Sequence, residues 1–447
     1  MATSLSRRHL LGIALGGATA LGAGGVAVSL ASGGAGAATR AAAVVPNTFL
    51  TADRVHPLTV TADPGAITTA LRTYKATGVK EWIEADVTID GSTYRRAGIR
   101  LKGNSSLRSA AESTPPATLP WLVRLDKYVK GVSHGGLTEL VIRSNSTATS
   151  LNEAVALDLL GAAGLATQQS AYVRLSVNGS SDVLRLAVEN PAGPWAARVF
   201  PTDGLLYKSE ASGNWSYRGP DAASYDDVFD QESGDEDLTP LIGFLRFLNT
   251  STDAEFTAGL GSRVDVDAFA TYLAFEELLD NFDDIDGPGN NSYLWWARPT
   301  GRMTVVAWDH NLAFGSRPGA AGTVGAAGQP GQQGQPGGRQ APAGGLPQAP
   351  ASTGQLAAGQ NPAGQQGGRT GGMNGKANPL VDRFTTLLDG TARVAAAKDA
   401  LRRSLYTSGL ATRRLAVWTG VIETGAQGLV DATTLASERQ AIAKYVA

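Results

Sequence analysis

Leu279-Asp280-Asn281-Phe282-Asp283-Asp284-Ile285-Asp286-Gly287-Pro288-Gly289-Asn290-Asn291 is the stretch whose reading decides the fold of this chain. Upstream of it, Phe269, Tyr272, Leu273 and Leu279 recur at helical spacing over 266–282, so the acidic run leaves the end of a helix. Glycine and proline then hold it as a loop. Downstream, the apolar runs Tyr293-Leu294-Trp295-Trp296 and 303–308 flank Thr300-Gly301, which reads as a hairpin. The second strand leads into Ala307-Trp308-Asp309-His310-Asn311-Leu312-Ala313-Phe314-Gly315. Five aspartates, Asp280, Asp283, Asp284, Asp286 and Asp309, thus fall close together.

A helix, an acidic loop ending in Asn, a hairpin and an Asp at the strand exit follow one another in the order used by protein kinases. There the loop Asp accepts the proton of the attacking hydroxyl, and the Asn and the second Asp hold a divalent cation against phosphates. Oxygen donors suit a hard cation. The same residues also suit a calcium-binding loop or a solvated acidic turn. Asp309, flanked by Trp308 and Leu312, does not fit a solvated face.

Working outward, residues 82–107 alternate apolar and polar around a turn at Asp90-Gly91, and Trp121-Leu122-Val123-Arg124-Leu125 reads as another strand. Leu151, Val155 and Leu159 give a helix, with Ser150 as its N-cap. A second hairpin turns at Asn178-Gly179. Helical patterns follow over 238–247, 266–282 and from Asn378-Pro379-Leu380 onward, with Trp418 and Leu429 in the core. Residues 316–377 are dominated by Gly, Gln, Pro and Ala, a composition that cannot offset the entropy of ordering, so a disordered insert is expected.

The N-terminus carries Ser6-Arg7-Arg8-His9-Leu10-Leu11, a Gly/Ala-rich apolar stretch and Ala35-Gly36-Ala37 as a cleavage site. Paired arginines before a weakly hydrophobic segment predict a twin-arginine export signal over 1–37, with an ordinary secretory signal as the competing reading. Residues 38–48 are then a flexible mature tail, and the protein is exported to the cell envelope or beyond.

The chain has 447 residues, a net charge of -2, no cysteine and four histidines. Disulfides, thiolate zinc sites and cysteine nucleophiles are excluded. There is no basic field for nucleic acid, and no later stretch is long and apolar enough for a stable membrane anchor. No feature prescribes an oligomeric state.

Gly98-Ile99-Arg100-Leu101-Lys102-Gly103-Asn104-Ser105-Ser106 resembles the G-x-R-x-K-G-N-S-S signature of the CotH (spore-coat protein H) family. Leu206-Tyr207-Lys208, Asn281-Phe282-Asp283, Asn291-Ser292-Tyr293-Leu294-Trp295 and Trp308-Asp309-His310-Asn311 resemble further elements of that family. The resemblance implies an α+β, atypical protein-kinase-like fold of two lobes. An N-terminal antiparallel sheet lobe would span 49–190, and a helical C-terminal lobe 191–315 with 378–447. It also implies ATP, Mg²⁺ or Mn²⁺, and a protein substrate with Ser/Thr acceptors.

By the resemblance, Asp283 is the loop aspartate, and Asn291 and Asp309 are metal ligands. Asp286 competes with Asp283 for the catalytic role, because Asp286 to Asn291 has the spacing of ordinary kinases. Lys102, Gly103, Asn104 and Ser105 follow a strand and are expected to approach phosphates; a plain polar turn is the other reading. Arg124 and Glu153 stand where a kinase Lys–Glu pair would be, although the family commonly has Lys at the former place. Glu189 ends the second hairpin where a hinge would meet adenine, and Lys208 is an alternative nucleotide cation.

Three features read plainly. The acid-rich segment 221–237 is expected to be mainly a solvated loop, His310 to pack or cap, and Trp295-Trp296 to be core. The leading functional expectation is transfer of the ATP γ-phosphate to Ser or Thr of envelope or secreted proteins. The competing one is a non-catalytic envelope scaffold that keeps the fold.

Overall fold

The computed structural model describes residues 48–211, 213–317 and 378–446. The expected export signal, most of the mature tail and nearly all of the Gly/Gln/Pro-rich insert lie outside the described residues. Near the start of the described residues, Phe49 is fully buried.

Seven strands, β1 (Val55–Ala62), β2 (Ile83–Ile89), β3 (Ser92–Leu101), β4 (Trp121–Arg124), β5 (Glu139–Ile142), β6 (Ser170–Val177) and β7 (Val183–Glu189), form one closed barrel in the order β1-β2-β3-β4-β5-β7-β6. The hairpin turns fall where the sequence puts them. Asp90 and Gly91 both have positive φ between Ile89 and Ser92, as do Asn178 and Gly179 between β6 and β7. For Asp90-Gly91 that is the backbone a tight two-residue hairpin requires, whereas the β6–β7 connection is longer and runs over 178–182. Alternation then sends Leu58, Val60, Val87, Ile89, Ile99, Val123, Leu140 and Val173 into the barrel's own core.

Closure corrects the expectation of a purely antiparallel sheet. The strand β1, which sequence reading missed, lies antiparallel to β2 and parallel to β6, with Val55 opposite Tyr172 and Val60 opposite Val177. Helix α1 (Pro64–Thr77), also missed, is capped by the Asp63 carboxylate, which accepts from the Ala66 N–H. Helix α2 (Leu151–Ala162) packs its many apolar residues between the barrel wall at Tyr172, Leu186 and Val188 and the C-terminal helices. Ser150 does not cap it. It has a left-handed conformation, and the Glu438 carboxylate accepts from Ala148 N, Thr149 N and both neighbouring threonine hydroxyls instead.

A second sheet of β8 (Gly204–Ser209), β9 (Phe229–Ser233), β10 (Ser292–Ala297) and β11 (Arg302–Ala307) has the order β11-β10-β8-β9. Before it comes α3 (Gly193–Val199), and within it α4 (Thr239–Thr250), α5 (Asp253–Gly259) and α6 (Val266–Leu278). Four helices close the chain: α7 (Pro379–Leu387), α8 (Gly390–Leu401), α9 (Leu410–Gly425) and α10 (Ala432–Val446). Trp418 is buried among them, and Leu429 packs at the edge of the same core.

The barrel meets this half through a third apolar cluster. Leu122 of β4 and Val141 of β5, on the barrel's outer wall, pack with Trp195, Leu206, Tyr293, Trp295 and Val306. Trp295 is core, stacked on Phe200 at 4.5 Å. The architecture is therefore mixed α+β, with a closed barrel joined to a sheet-and-helix half, and the acidic loop lies beside that joint.

Candidate active site

Helix α6 ends one turn earlier than its apolar pattern, because Asp280 takes φ 45°. Four of the nine described non-glycine residues with positive φ lie in this region: Asp280, Asn290, Asp309 and Phe314. Such backbone is sustained only where the surroundings over-determine it. Here the surroundings are hydrogen bonds. Asn281 Nδ2 donates to Glu276 at 2.8 Å, Asn291 Nδ2 to the Asp283 carbonyl at 2.9 Å, and Phe314 N to the Leu279 carbonyl at 2.5 Å.

The Asp283 carboxylate accepts the Gly289 N–H. A Cβ at Gly289 would overlap that carboxylate, so only glycine lets the loop fold back on it. Burial, and then the negative charge of Asp309, push the Asp283 carboxyl above its ordinary range. Asp286 faces elsewhere: its electrostatic neighbours are Tyr272 of α6 and Asp382 of α7.

Asp309 leaves β11 in a left-handed conformation. Its Oδ1 accepts from Arg143 Nη2, while Arg143 Nε donates to Glu153 at 3.0 Å. Arg143 is nearly inaccessible and Glu153 is buried, whereas the Asp309 side chain keeps 24% of its surface. Burial opposes the Arg143 charge, but Asp309 and Glu153 outweigh it and hold the guanidinium protonated. Burial raises the Glu153 carboxyl, against the pull of Arg143. Asn152 Nδ2 donates to the Asn311 carbonyl at 2.6 Å, and Ser146 Oγ to the same carbonyl at 2.8 Å, fixing α2 to the turn after Asp309.

Arg124 is therefore not the partner of Glu153. It is two residues from Asp126 and pairs with it at 2.8 Å, on a strand whose neighbour β5 runs straight into Arg143. Sequence reasoning missed Arg143. The signal was there, in a basic residue at the end of an apolar run ten positions before Glu153, but β5 itself was not recognised.

A second cluster lies along the sheet beside this one. Lys208 of β8 stands opposite Tyr293 of β10 and Asp230 of β9. It pairs with Glu210, which shares a hydrogen bond with Asp230. Burial and then Glu210 push the Asp230 carboxyl up to about 6. The Tyr293 hydroxyl is buried with no partner among the described residues, and its field includes Glu232, Glu210, Asp230 and Asp309.

Lys102 joins from the barrel side, donating to Asn190 Oδ1 at 3.1 Å. Burial, with Lys208 and Arg100 nearby, pushes its ammonium down to about 8, although Glu232 and Glu139 pull the other way. The segment 221–237 is thus more than a solvated loop, because its centre is a strand that turns Asp230 and Glu232 toward two lysines.

The remaining predicted residues are more scattered. Gly103 has φ +88° and closes against Ser106. Asn104 and Ser105 are exposed, and Asn104 accepts from Lys80 Nζ at 2.8 Å. Glu189 is held by Arg198 and by the Gln169 N–H at 2.8 Å, on the wall of a cavity of about 210 Å³ that also includes Glu139 and Asn190. His310 is buried against Glu276 at 3.1 Å, a packing role.

Among the described residues no three carboxylates or imidazoles converge into a ready-made metal cage. The donors do fit a cation that brings its own oxygen ligands. Arg143 takes Oδ1 of Asp309, and the amide nitrogen of Asn291 is committed to Asp283, which leaves Oδ2 of the one and the amide oxygen of the other. One or two protein oxygens completed by phosphates and water is the usual arrangement for magnesium.

A buried arginine ties two carboxylates together here, with Lys102 and Lys208 in a neighbouring cluster of charged side chains. The family description CotH kinase protein matches residues 99–344, more than half of the chain, and the chain belongs to that family. The match begins in β3 and takes in α2, the acidic loop and Asp309, while α7–α10 lie beyond it. No curated protein matches the chain. Membership carries a kinase-like function and, in general terms, ATP, a divalent metal and a protein substrate.

Proposed function

We propose that the chain is an exported, two-lobed protein kinase that transfers the γ-phosphate of ATP to Ser or Thr of envelope or secreted proteins. The barrel would be the N-terminal lobe and the sheet-and-helix half the C-terminal lobe. The observation that carries the reading is the chain Glu153–Arg143–Asp309. Kinases need an ion pair from the N-terminal lobe and a metal-binding aspartate set together, and here one guanidinium joins the two.

Asp309 and Asn291 would hold Mg²⁺ or Mn²⁺. The bound cation supplies charge neutralisation at the phosphates. Asp283 faces Asp309 and would orient the acceptor hydroxyl and take its proton; its raised carboxyl makes it a better base than a solvated aspartate. Asp286, turned toward α6 and α7, has no such position. Lys102 and Lys208 would meet phosphate oxygens, and Tyr293 could donate its unpaired hydroxyl to a ligand atom. The cavity beside Asn190 and Glu139 would take the adenine. Export through a twin-arginine signal is part of the same proposal and is supported by Arg7-Arg8 and the segment after it.

The test is calorimetry of the mature protein with ATP and Mg²⁺ or Mn²⁺, followed by mass spectrometry of envelope proteins treated with both. Metal-dependent binding and an added phosphate mass are expected. Asp309→Ala should abolish transfer. Absence of nucleotide binding would leave a scaffold, and an added AMP mass would mean a different transfer.

A further inference from the structure

Behind the active-site loop, on the face made by the helices, lies a cavity of about 490 Å³. Its walls are the end of α6 at Glu277, Lys398 of α8, a π-helical turn spanning Arg402–Thr407, and Lys444 and Tyr445 of α10. Short π-helical turns are rare and recur at functional sites. This one interrupts the run from α8 and sets Arg402 and Tyr406 on one wall, with Lys444 on another.

Three cations face one carboxylate there. Lys398 is paired with Glu277 at 3.0 Å. The end of α6 has a donor of its own, since the Tyr406 hydroxyl donates to the Leu278 carbonyl at 3.2 Å. The Tyr445 hydroxyl donates to Asp280 at 3.2 Å, and Asp280 also pairs with Arg317 at 3.0 Å. What remains is Arg402, whose nearest carboxylate, Asp399, is 4.0 Å away, and Lys444, which makes no ion pair among the described residues. A planar guanidinium and an ammonium from two different elements of the lining match an oxyanion with several acceptor oxygens. The volume falls in the range of ligand sites and exceeds an oxyanion alone, so it also takes the residue that carries the group.

The cavity touches the catalytic segment. Tyr445 binds Asp280 at the start of the acidic loop, and Gly315, six residues after Asp309, lies so close that a Cβ would collide with the Tyr445 hydroxyl. We propose that this cavity binds a phosphorylated serine or threonine of a protein substrate that has already been modified once. The proposal rests on the kinase reading for the origin of that group. A site of this kind would hold the product of one transfer beside the loop that performs the next, and so favour clustered phosphorylation.

The test uses the full mature chain and fluorescence anisotropy. The probes are a labelled peptide with one phosphoserine, the same peptide with serine, and inorganic phosphate as competitor. The phosphopeptide should bind at least about tenfold more tightly than its serine counterpart, about 1.4 kcal/mol. Arg402→Ala combined with Lys444→Ala should abolish that preference; both side chains are exposed, so the fold should survive. Arg402→Lys should keep part of it. Asp309→Ala should lose transfer and still bind the phosphopeptide, which separates this site from the active site. Equal affinity for both peptides would overturn the proposal, as would a preference that persists in the double variant. Competition by inorganic phosphate at the affinity of the phosphopeptide would show a free-ion site instead.

Discussion

Arg143 joins the two halves of the candidate site. It pairs with two carboxylates at once, one buried and one half-buried. Removing one partner of a buried ion pair costs about 3–5 kcal/mol, because the charge left behind is uncompensated. Arg143→Ala should therefore lower stability by about 3–5 kcal/mol in urea unfolding, and Arg143→Lys, with one donor centre for two acceptors, should recover only part of it. Gly289 acts through space rather than charge. Gly289→Ala should displace the Asp283 carboxylate and cut phosphate transfer strongly while leaving nucleotide binding close to normal. Equal losses in both would mean that the loop as a whole had moved. Lys102 gives a pH signature. Its ammonium, depressed to about 8, is charged below that pH and neutral above it. Nucleotide affinity should be high below pH 8 and fall as pH rises through it, and Lys102→Met should bind weakly with no such fall. Calorimetry across pH 6.5 to about 9.5 would show the inflection.

At the scale of the element, the informative case is α2. The turn that leads into it, Thr147 to Thr149, is held by Glu438, which comes from α10 near the end of the chain. Hydrogen bonds to a charged group are each worth about 1.5–3 kcal/mol. Glu438→Ala should destabilise the protein by about 2–4 kcal/mol in chemical unfolding. Because α2 also carries Glu153, turnover should drop with it, whereas Ser150→Ala should change little. The hairpins show the opposite behaviour. Asp90-Gly91, Asn178-Gly179 and Thr300-Gly301 act on their own neighbours, so each turn was legible from a few residues. Strands β1, β5, β8 and β9 were not, because short or mixed segments take their structure from the strands beside them.

For the whole molecule, closure of the barrel decides what the acidic loop faces. Pairing of β1 with β6 curls the sheet, and the outer wall at Leu122 and Val141 becomes the surface on which the second sheet docks. That docking sets β5, and hence Arg143, against Asp309. No helix among the described residues is long and apolar enough to cross a membrane. The export proposal belongs to this scale too. Replacing Arg7 and Arg8 with Lys should leave the full-length precursor inside the cell, and immunoblots of cell and medium fractions would show it.

The sequence by itself determined the order of the parts: a strand-rich first half, an acidic loop after a helix, a hairpin, and Asp309 at its exit. These depend on local spacing and on residues whose backbone freedom is written in their side chains. It also carried the motifs by which the family is recognised. Only the tertiary structure decided the partners. Glu153 pairs with Arg143 rather than Arg124, Asp283 rather than Asp286 faces Asp309, and Asp230 and Glu232 turn toward Lys208 and Lys102. Charge pairing depends on distance in space, and distance across a barrel and a docked sheet is fixed by closure and packing, which no local pattern in the chain encodes.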